Sequence, residues 1–176
     1  KYGTRLWDKK LSSSTPTARK IIVNTDDSVL VLHSAGIIKV TSTGSISWQK
    51  SGNWMDMAID TSGDIYAIFG FTGGAGYIDK ISQSTGSSLI RKQINLPSGV
   101  IDIFGMGIGV DSSNNIIAVY GERTTSSASL NFAVSKLNST LTTVSWTKRA
   151  TYTYYVTDYN FLSFYTTPVV IDSNNN

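Results

Sequence analysis

Four stretches of the chain share one order of apolar and polar positions: "VNTDDSVLVLHS" (23–34), "IDTSGDIYAIFG" (59–70), "VDSSNNIIAVYG" (110–121) and the shorter "IDSNNN" (171–176). Each starts with Ile or Val, continues with Asp or Asn and a run of small polar residues, and the first three run on into an apolar segment. Such self-similarity points to a repeat architecture. The polar run predicts a tight turn. Asn24, Asp60, Asp111 or Asp172 can accept a hydrogen bond from the backbone two residues on, and Gly63 or Asn114 can take the left-handed conformation such turns often need. The Asx residues are 36, 51 and 61 positions apart, which describes an irregular repeat with loops of different length.

The segments after the turns, Ile65-Tyr66-Ala67-Ile68-Phe69 and Ile116-Ile117-Ala118-Val119-Tyr120, are apolar at odd and even positions alike. A strand covered on one face alternates, so an unbroken apolar run predicts a strand covered on both. A second module follows each: "GIIKVTSTGSISWQK" (36–50), "GYIDKISQSTGSSLIRKQ" (76–93) and "NFAVSKLNSTLTTVSWTK" (131–148). In each, a strand carrying Lys39, Lys80 or Lys136 leads through a Ser/Thr-rich turn to a strand ending at Trp48, Ile90 or Trp146, at an interval of 9, 10 and 10 residues. Helical periodicity of useful length is absent. Four short strands over roughly 40 to 55 residues is the size of a propeller blade. The expected fold is therefore all-β, a β-propeller-like array of four-stranded blades in one domain. Three full units are expected near 12–52, 53–95 and 96–150, with partial units at 1–11 and 151–176.

Three of the four tryptophans fall in one setting, Trp7-Asp8-Lys9, Trp48-Gln49-Lys50 and Trp146-Thr147-Lys148. An outer strand needs a large side chain to seal it against its neighbour, and a lysine two places on can lay its methylenes along the indole while its ammonium stays wet. Trp7, Trp48 and Trp146 are accordingly expected at seams between units, buried against a neighbour.

Composition narrows the function classes. Charged residues make up 15% of the 176, and Ser, Thr and Asn fill the gaps between apolar stretches, so the surface bonds by hydrogen bonds more than by charge. The net charge of +3 is spread along the chain, with its densest group at Lys9, Lys10, Arg19 and Lys20, and no basic stripe with interleaved aromatics suggests a nucleic-acid site. There is no cysteine for a disulfide or a zinc thiolate. No stretch approaches the ~20 apolar residues that span a bilayer, so no membrane insertion is expected. The chain opens at Lys1 and stops inside an expected turn, and is read as a piece of a longer polypeptide.

Chemistry-bearing motifs are sparse. His33 is the one histidine, at the repeat position of Phe69 and Tyr120, and reads as a packing residue. The turns "NTDDS" and "DTSGD" offer acidic oxygens without EF-hand spacing, and "GFTGGAGY" and "GMGIGV" lack the order of a phosphate loop or a dinucleotide fingerprint. Gly105, Gly107 and Gly109 are expected where strands approach closely. No catalytic residue, metal ligand or cofactor site is expected, and the protein reads as a non-enzyme.

The stretches "DTSGDIYAIFG" and "GVDSSNNIIAVYG", followed by "TSTGSISW", resemble the Asp-Ser-Ser-Gly-Asn type of β-propeller repeat found in phage structural (tail or fibre) proteins and in secreted bacterial proteins. Thr43-Gly44 to Trp48 is also similar to the tryptophan-docking repeat of quinoproteins. The first resemblance implies a structural or attachment part of a bacteriophage virion (tail, fibre or baseplate), located in the virion or extracellularly, with other virion proteins or a host surface glycan as partners. The alternative it implies is a secreted bacterial adhesin or carbohydrate-binding propeller. Either role is compatible with an oligomer. The segment "TYTYYVTDYNFLSFY" (151–165) stands outside the repeat, and Tyr152, Tyr154, Tyr155 and Tyr159 are the expected partner- or glycan-contact residues, since tyrosine joins a rigid apolar face to a polar tip.

Overall fold

Each full repeat folds as a four-stranded antiparallel meander. A computed structural model describes residues 8, 17–69, 74–124, 130–152, 169 and 171. The first sheet runs β1 (Ala18–Val23), β2 (Val29–His33), β3 (Gly36–Val40), β4 (Ile46–Ser51). The second runs β5 (Trp54–Ile59), β6 (Ile65–Phe69), β7 (Gly76–Ile81), β8 (Ser88–Ile94). The third runs β9 (Val100–Val110), β10 (Ile116–Thr124), β11 (Leu130–Leu137), β12 (Val144–Tyr152). The fold is all-β, and there is no helix among the described residues.

The unbroken apolar run of β6 is explained by how the sheets stack, whereas on β10 Ile117 and Val119 are only half-buried. On β6, Ile65 and Ala67 join Leu30, Leu32 and Ile37 of the first sheet in one core cluster, while Tyr66 and Ile68 join Ile108, Ile116 and Ala118 of the third sheet in another. The middle sheet is thus buried on both faces. Fully burying one such Ile contributes roughly 1.5 to 3 kcal/mol, so the double-sided strand β6 is a main source of cohesion.

The repeat turns use their Asx residues as local acceptors. Asp60 Oδ1 accepts from the backbone N–H of Ser62 and of Asp64, both at 2.9 Å, and Asp111 Oδ1 does the same from Ser113 and Asn115 at 2.9 and 2.8 Å. Gly63 and Asn114 take the left-handed conformation at φ of 87° and 61°. The first turn differs from expectation. Asn24 donates through its amide to Ser28 Oγ, Asp26 is the acceptor for the Ser28 N–H, and Asp27 is the left-handed residue.

The interval from lysine to outer anchor also has a structural cause. Lys39 and Trp48, Lys80 and Ile90, and Lys136 and Trp146 are direct cross-strand partners, and each pair is followed by the same bulge, between Lys39/Val40, Lys80/Ile81 and Lys136/Leu137. Each lysine also reaches back to an acid of its own repeat turn: Lys39 to Asp26 at 4.0 Å, Lys80 to Asp60 at 3.4 Å and Asp64 at 3.2 Å, and Lys136 to Asp111 at 2.8 Å. The third strand of every sheet is in this way pinned to the turn between the first two.

Candidate functional site

The first strands of the three sheets, β1, β5 and β9, are tied together by one acid. Asp56, 2% exposed, accepts from Lys20 Nζ at 2.8 Å and from the Met57 N–H through Oδ1, and from the Ile108 N–H at 2.9 Å through Oδ2. A buried carboxylate is tolerated when its lone pairs are filled in this way. Close approach here is assisted by glycine: a methyl group at Gly105 would collide with the Phe69 carbonyl. Gly109 in turn faces Val169 and Ile171, whose side chains pack beside β9.

Farther out, the seam between the first and second sheets is filled by Trp48. Its indole N–H donates to the Gln83 carbonyl at 2.8 Å, in the turn between β7 and β8, and its ring lies on Gly86 of that turn. Gly44, Gly86 and Leu141 are equivalent left-handed residues of the three outer turns, each donating its N–H back to the first residue of the turn, Thr41, Ser82 or Asn138. At the second seam both members of the pair change. The outer anchor is the smaller Ile90, and the cluster it packs against contains Leu141, fully buried despite its left-handed backbone.

Beyond Ile90 the second seam opens into a cleft of about 190 Å³ between β8 and β12. Its polar lining includes Lys92, Asn95, Tyr120, Ser135, Thr147 and Arg149, and Ile94, Leu137 and Val144 form apolar wall. Three hydroxyls run outward in a chain, with Tyr120 Oη 2.8 Å from Ser135 Oγ and Ser135 Oγ 2.7 Å from Thr147 Oγ1. Arg149 points its Nε–H at both oxygens of buried Glu122, 3.1 and 3.0 Å away, and that bond holds the guanidinium pKa above its ordinary value. The cleft therefore offers a fixed cation, a second lysine cation, and a hydroxyl chain whose terminal group can donate or accept as a ligand requires.

His33 takes no part in these arrangements. Its Nδ1 accepts from the Ala35 N–H at 3.2 Å, and burial first, then the nearby Arg19 charge, lower its pKa. Among the described residues no group of three or more His, Cys, Asp or Glu is placed to hold a metal ion. In the Asp60–Asp64 turn the Lys80 ammonium bridges the two carboxylates.

Of the tryptophans expected at seams, Trp48 lies on the following sheet as described, whereas Trp146 is 41% exposed. The expected burial of Trp146 fails among the described residues for a simple reason: its sheet is the last of the three, and no described outer turn follows to receive the ring. Trp7, Tyr154, Tyr155 and Tyr159 lie outside the described residues, and Tyr152 is the last residue of β12, opposite Leu130. The cleft residues were not singled out by sequence reasoning. The nearest mark of them in the sequence is Ile90-Arg91-Lys92, which keeps the lysine of the Trp-x-Lys setting without its indole.

No protein-family model and no curated protein matches the chain. Among solved structures, it is similar to the crystal structure of a protein of unknown function from Bacteroides caccae, at 13% identity and a TM-score of 0.48, with 82% of this chain and 64% of that chain covered. The chain thus spans somewhat less than two thirds of the length of that neighbour.

Proposed function

We propose that the three sheets are consecutive blades of a β-propeller, and that the protein is a non-enzymatic structural or attachment component of a bacteriophage particle, in its tail, fibre or baseplate. The observation that carries this reading is the use made of buried charge. Asp56, Asp79, Asp102 and Glu122 are each held in strand-to-strand or sheet-to-sheet bonds, to Lys20 and Ile108, to Arg91 and Trp54, to Arg123, and to Arg149. Asp60 and Asp111 are held by their own turns and by Lys80 and Lys136. Catalysis by acid or base needs a group free to exchange its proton with a substrate, whereas a mechanical part needs this kind of cross-bonding. The bridging of β1, β5 and β9 at Asp56 supports a radial arrangement with these strands innermost.

In this reading the partners are neighbouring virion proteins or a host surface glycan, and Tyr152, Tyr154, Tyr155 and Tyr159 contribute to the contact. A secreted bacterial adhesin or carbohydrate-binding propeller is the second reading, favoured by the cation- and hydroxyl-lined cleft beside β12. Peptide mass spectrometry of gradient-purified phage particles separates the two. Peptides of this chain at stoichiometric yield in the particles support the virion role. Their absence there, with recovery from the surface or medium of uninfected bacteria, would establish the adhesin instead.

A further inference from the structure

We propose that the cleft between the second and third sheets is a binding subsite for an acidic saccharide, with the Lys92 ammonium meeting the anionic group and Thr147 presenting a hydroxyl to the sugar ring. The proposal deepens the attachment reading above and rests on it.

The second seam has Ile90 as its outer anchor where the first has Trp48, and the cleft begins two places beyond it, at Lys92. At the first seam Trp48 lies on Gly86 and bonds the Gln83 carbonyl; at the second, the lysine equivalent to Lys50 is Lys92, and it lines an opening. Among the described residues Lys92 has no ion-pair partner, while the other cation of the cleft, Arg149, is balanced by Glu122. The site thus carries one uncompensated positive charge beside a neutralised pair, which favours a ligand with a single negative group per subsite.

The rest of the lining fits a sugar. Tyr120 and Ser135 are 2% and 4% exposed, so the inner part of the hydroxyl chain is fixed by burial and only its Thr147 end can respond to a ligand. A chain of hydroxyls can reverse its direction of donation, and so can answer either a hydroxyl donor or an acceptor on the ring. Asn95 adds an amide, and Ile94 and Val144 give apolar surface against which the C–H face of a ring can lie. At about 190 Å³ the cleft is smaller than the roughly 300 to 1,000 Å³ of sites for drug-sized ligands. One sugar unit of a longer chain is the occupant this space suits.

The test is titration calorimetry at low salt with a hexuronic acid tetrasaccharide, its carboxyl-reduced neutral counterpart, and an acidic peptide of equal charge. The acidic tetrasaccharide is expected to bind at least tenfold more tightly than either of the others. Lys92→Gln should weaken it by about tenfold or more, the loss typical of a hydrogen bond to a charged group, and Thr147→Val should weaken it several-fold. Lys50→Gln, at the filled seam, should leave binding unchanged, and unfolding curves for all three variants confirm that they fold. Equal binding of the acidic and neutral saccharides, an unaltered affinity in Lys92→Gln, or a peptide as tightly bound as the sugar would each overturn the proposal. Its fate is separable from that of the virion reading: saccharide binding by a chain missing from phage particles keeps the subsite and ends the virion role, and the converse pair of results does the opposite.

Discussion

Trp48 rests its indole on Gly86, so closely that a methyl group there would stand 2.8 Å from two of the ring carbons, and Gly86 itself sits at a φ of 72°. Two costs therefore meet at one residue. Gly86→Ala is expected to destabilise the protein by roughly 2 to 3 kcal/mol, about half from the left-handed backbone and the rest from displacement of the indole. Gly99, at a φ of 81° with nothing near its vacant position, is the control. Gly99→Ala should lose only the backbone part, about 1 kcal/mol, and urea unfolding of the two variants side by side measures the difference.

Trp48 and Trp146 share a place in the repeat and differ in cover. Trp48→Ala is expected to cost about 3 kcal/mol, the low end for a large aromatic truncation because the ring is partly buried. Trp146→Ala should cost half of that or less, since the side chain is 41% exposed. Equal losses in denaturant unfolding would mean that Trp146 is covered after all.

Asp56 is the point at which three sheets share one side chain. Asp56→Ala should cost about 3 kcal/mol or more, because it leaves the buried Ile108 N–H without an acceptor and Lys20 without its partner. Asp56→Asn should cost less, as one oxygen remains to accept. Hydrogen exchange gives the specific readout. The Ile108 amide should lose protection in Asp56→Ala more than its neighbours on β9 do.

The staple between Asp111 and Lys136 predicts a pH dependence. Burial opposes ionisation of Asp111, but the bonds from Lys136, from the Asn115 side chain and from the Asn115 and Ser113 N–H groups outweigh it and hold the pKa at about 2, against an ordinary 3.8. A carboxylate with a lowered folded-state pKa stabilises fully above its unfolded value, and the contribution is lost as pH falls through the folded one. Asp111 should thus add about 2 kcal/mol at neutral pH and lose most of it between pH 4 and 2. Urea midpoints across that window should fall less steeply in Asp111→Asn than in the parent chain.

Much of this architecture was legible from short-range pattern. The apolar run at 65–69 announced two covered faces, and Asp60 and Asp111 announced their turns, because in both cases the cause lies within a few residues of the effect, whereas on β10 Ile117 and Val119 are only half-buried. The interval of 9 or 10 residues from lysine to anchor likewise reported a cross-strand pair. Long-range relationships left no such trace. Asp56 stands in "WMDMAI" with nothing nearby to suggest that its partners are Lys20 and Ile108. The cleft was hidden for a related reason, since its walls come from β7 and β8 of one sheet and β10, β11 and β12 of the next and meet only when the two sheets are set side by side.

The exchange of Trp48 over Gly86 at one seam for Ile90 against the cluster of Leu141 at the next gives adjoining sheets an address for one another. Were the order of the units permuted, an indole would meet a leucine at one seam and an isoleucine would face a bare glycine at another, leaving one joint overfilled and the other hollow. Tandem units of similar sequence are prone to docking on the wrong neighbour while they fold, and this volume code penalises that error at two joints together. The code is also uneven: a copy of the second sheet set after itself would bring Ile90 to Gly86 and leave the joint short of volume, whereas a copy of the first would bring Trp48 to Gly44 and keep it filled.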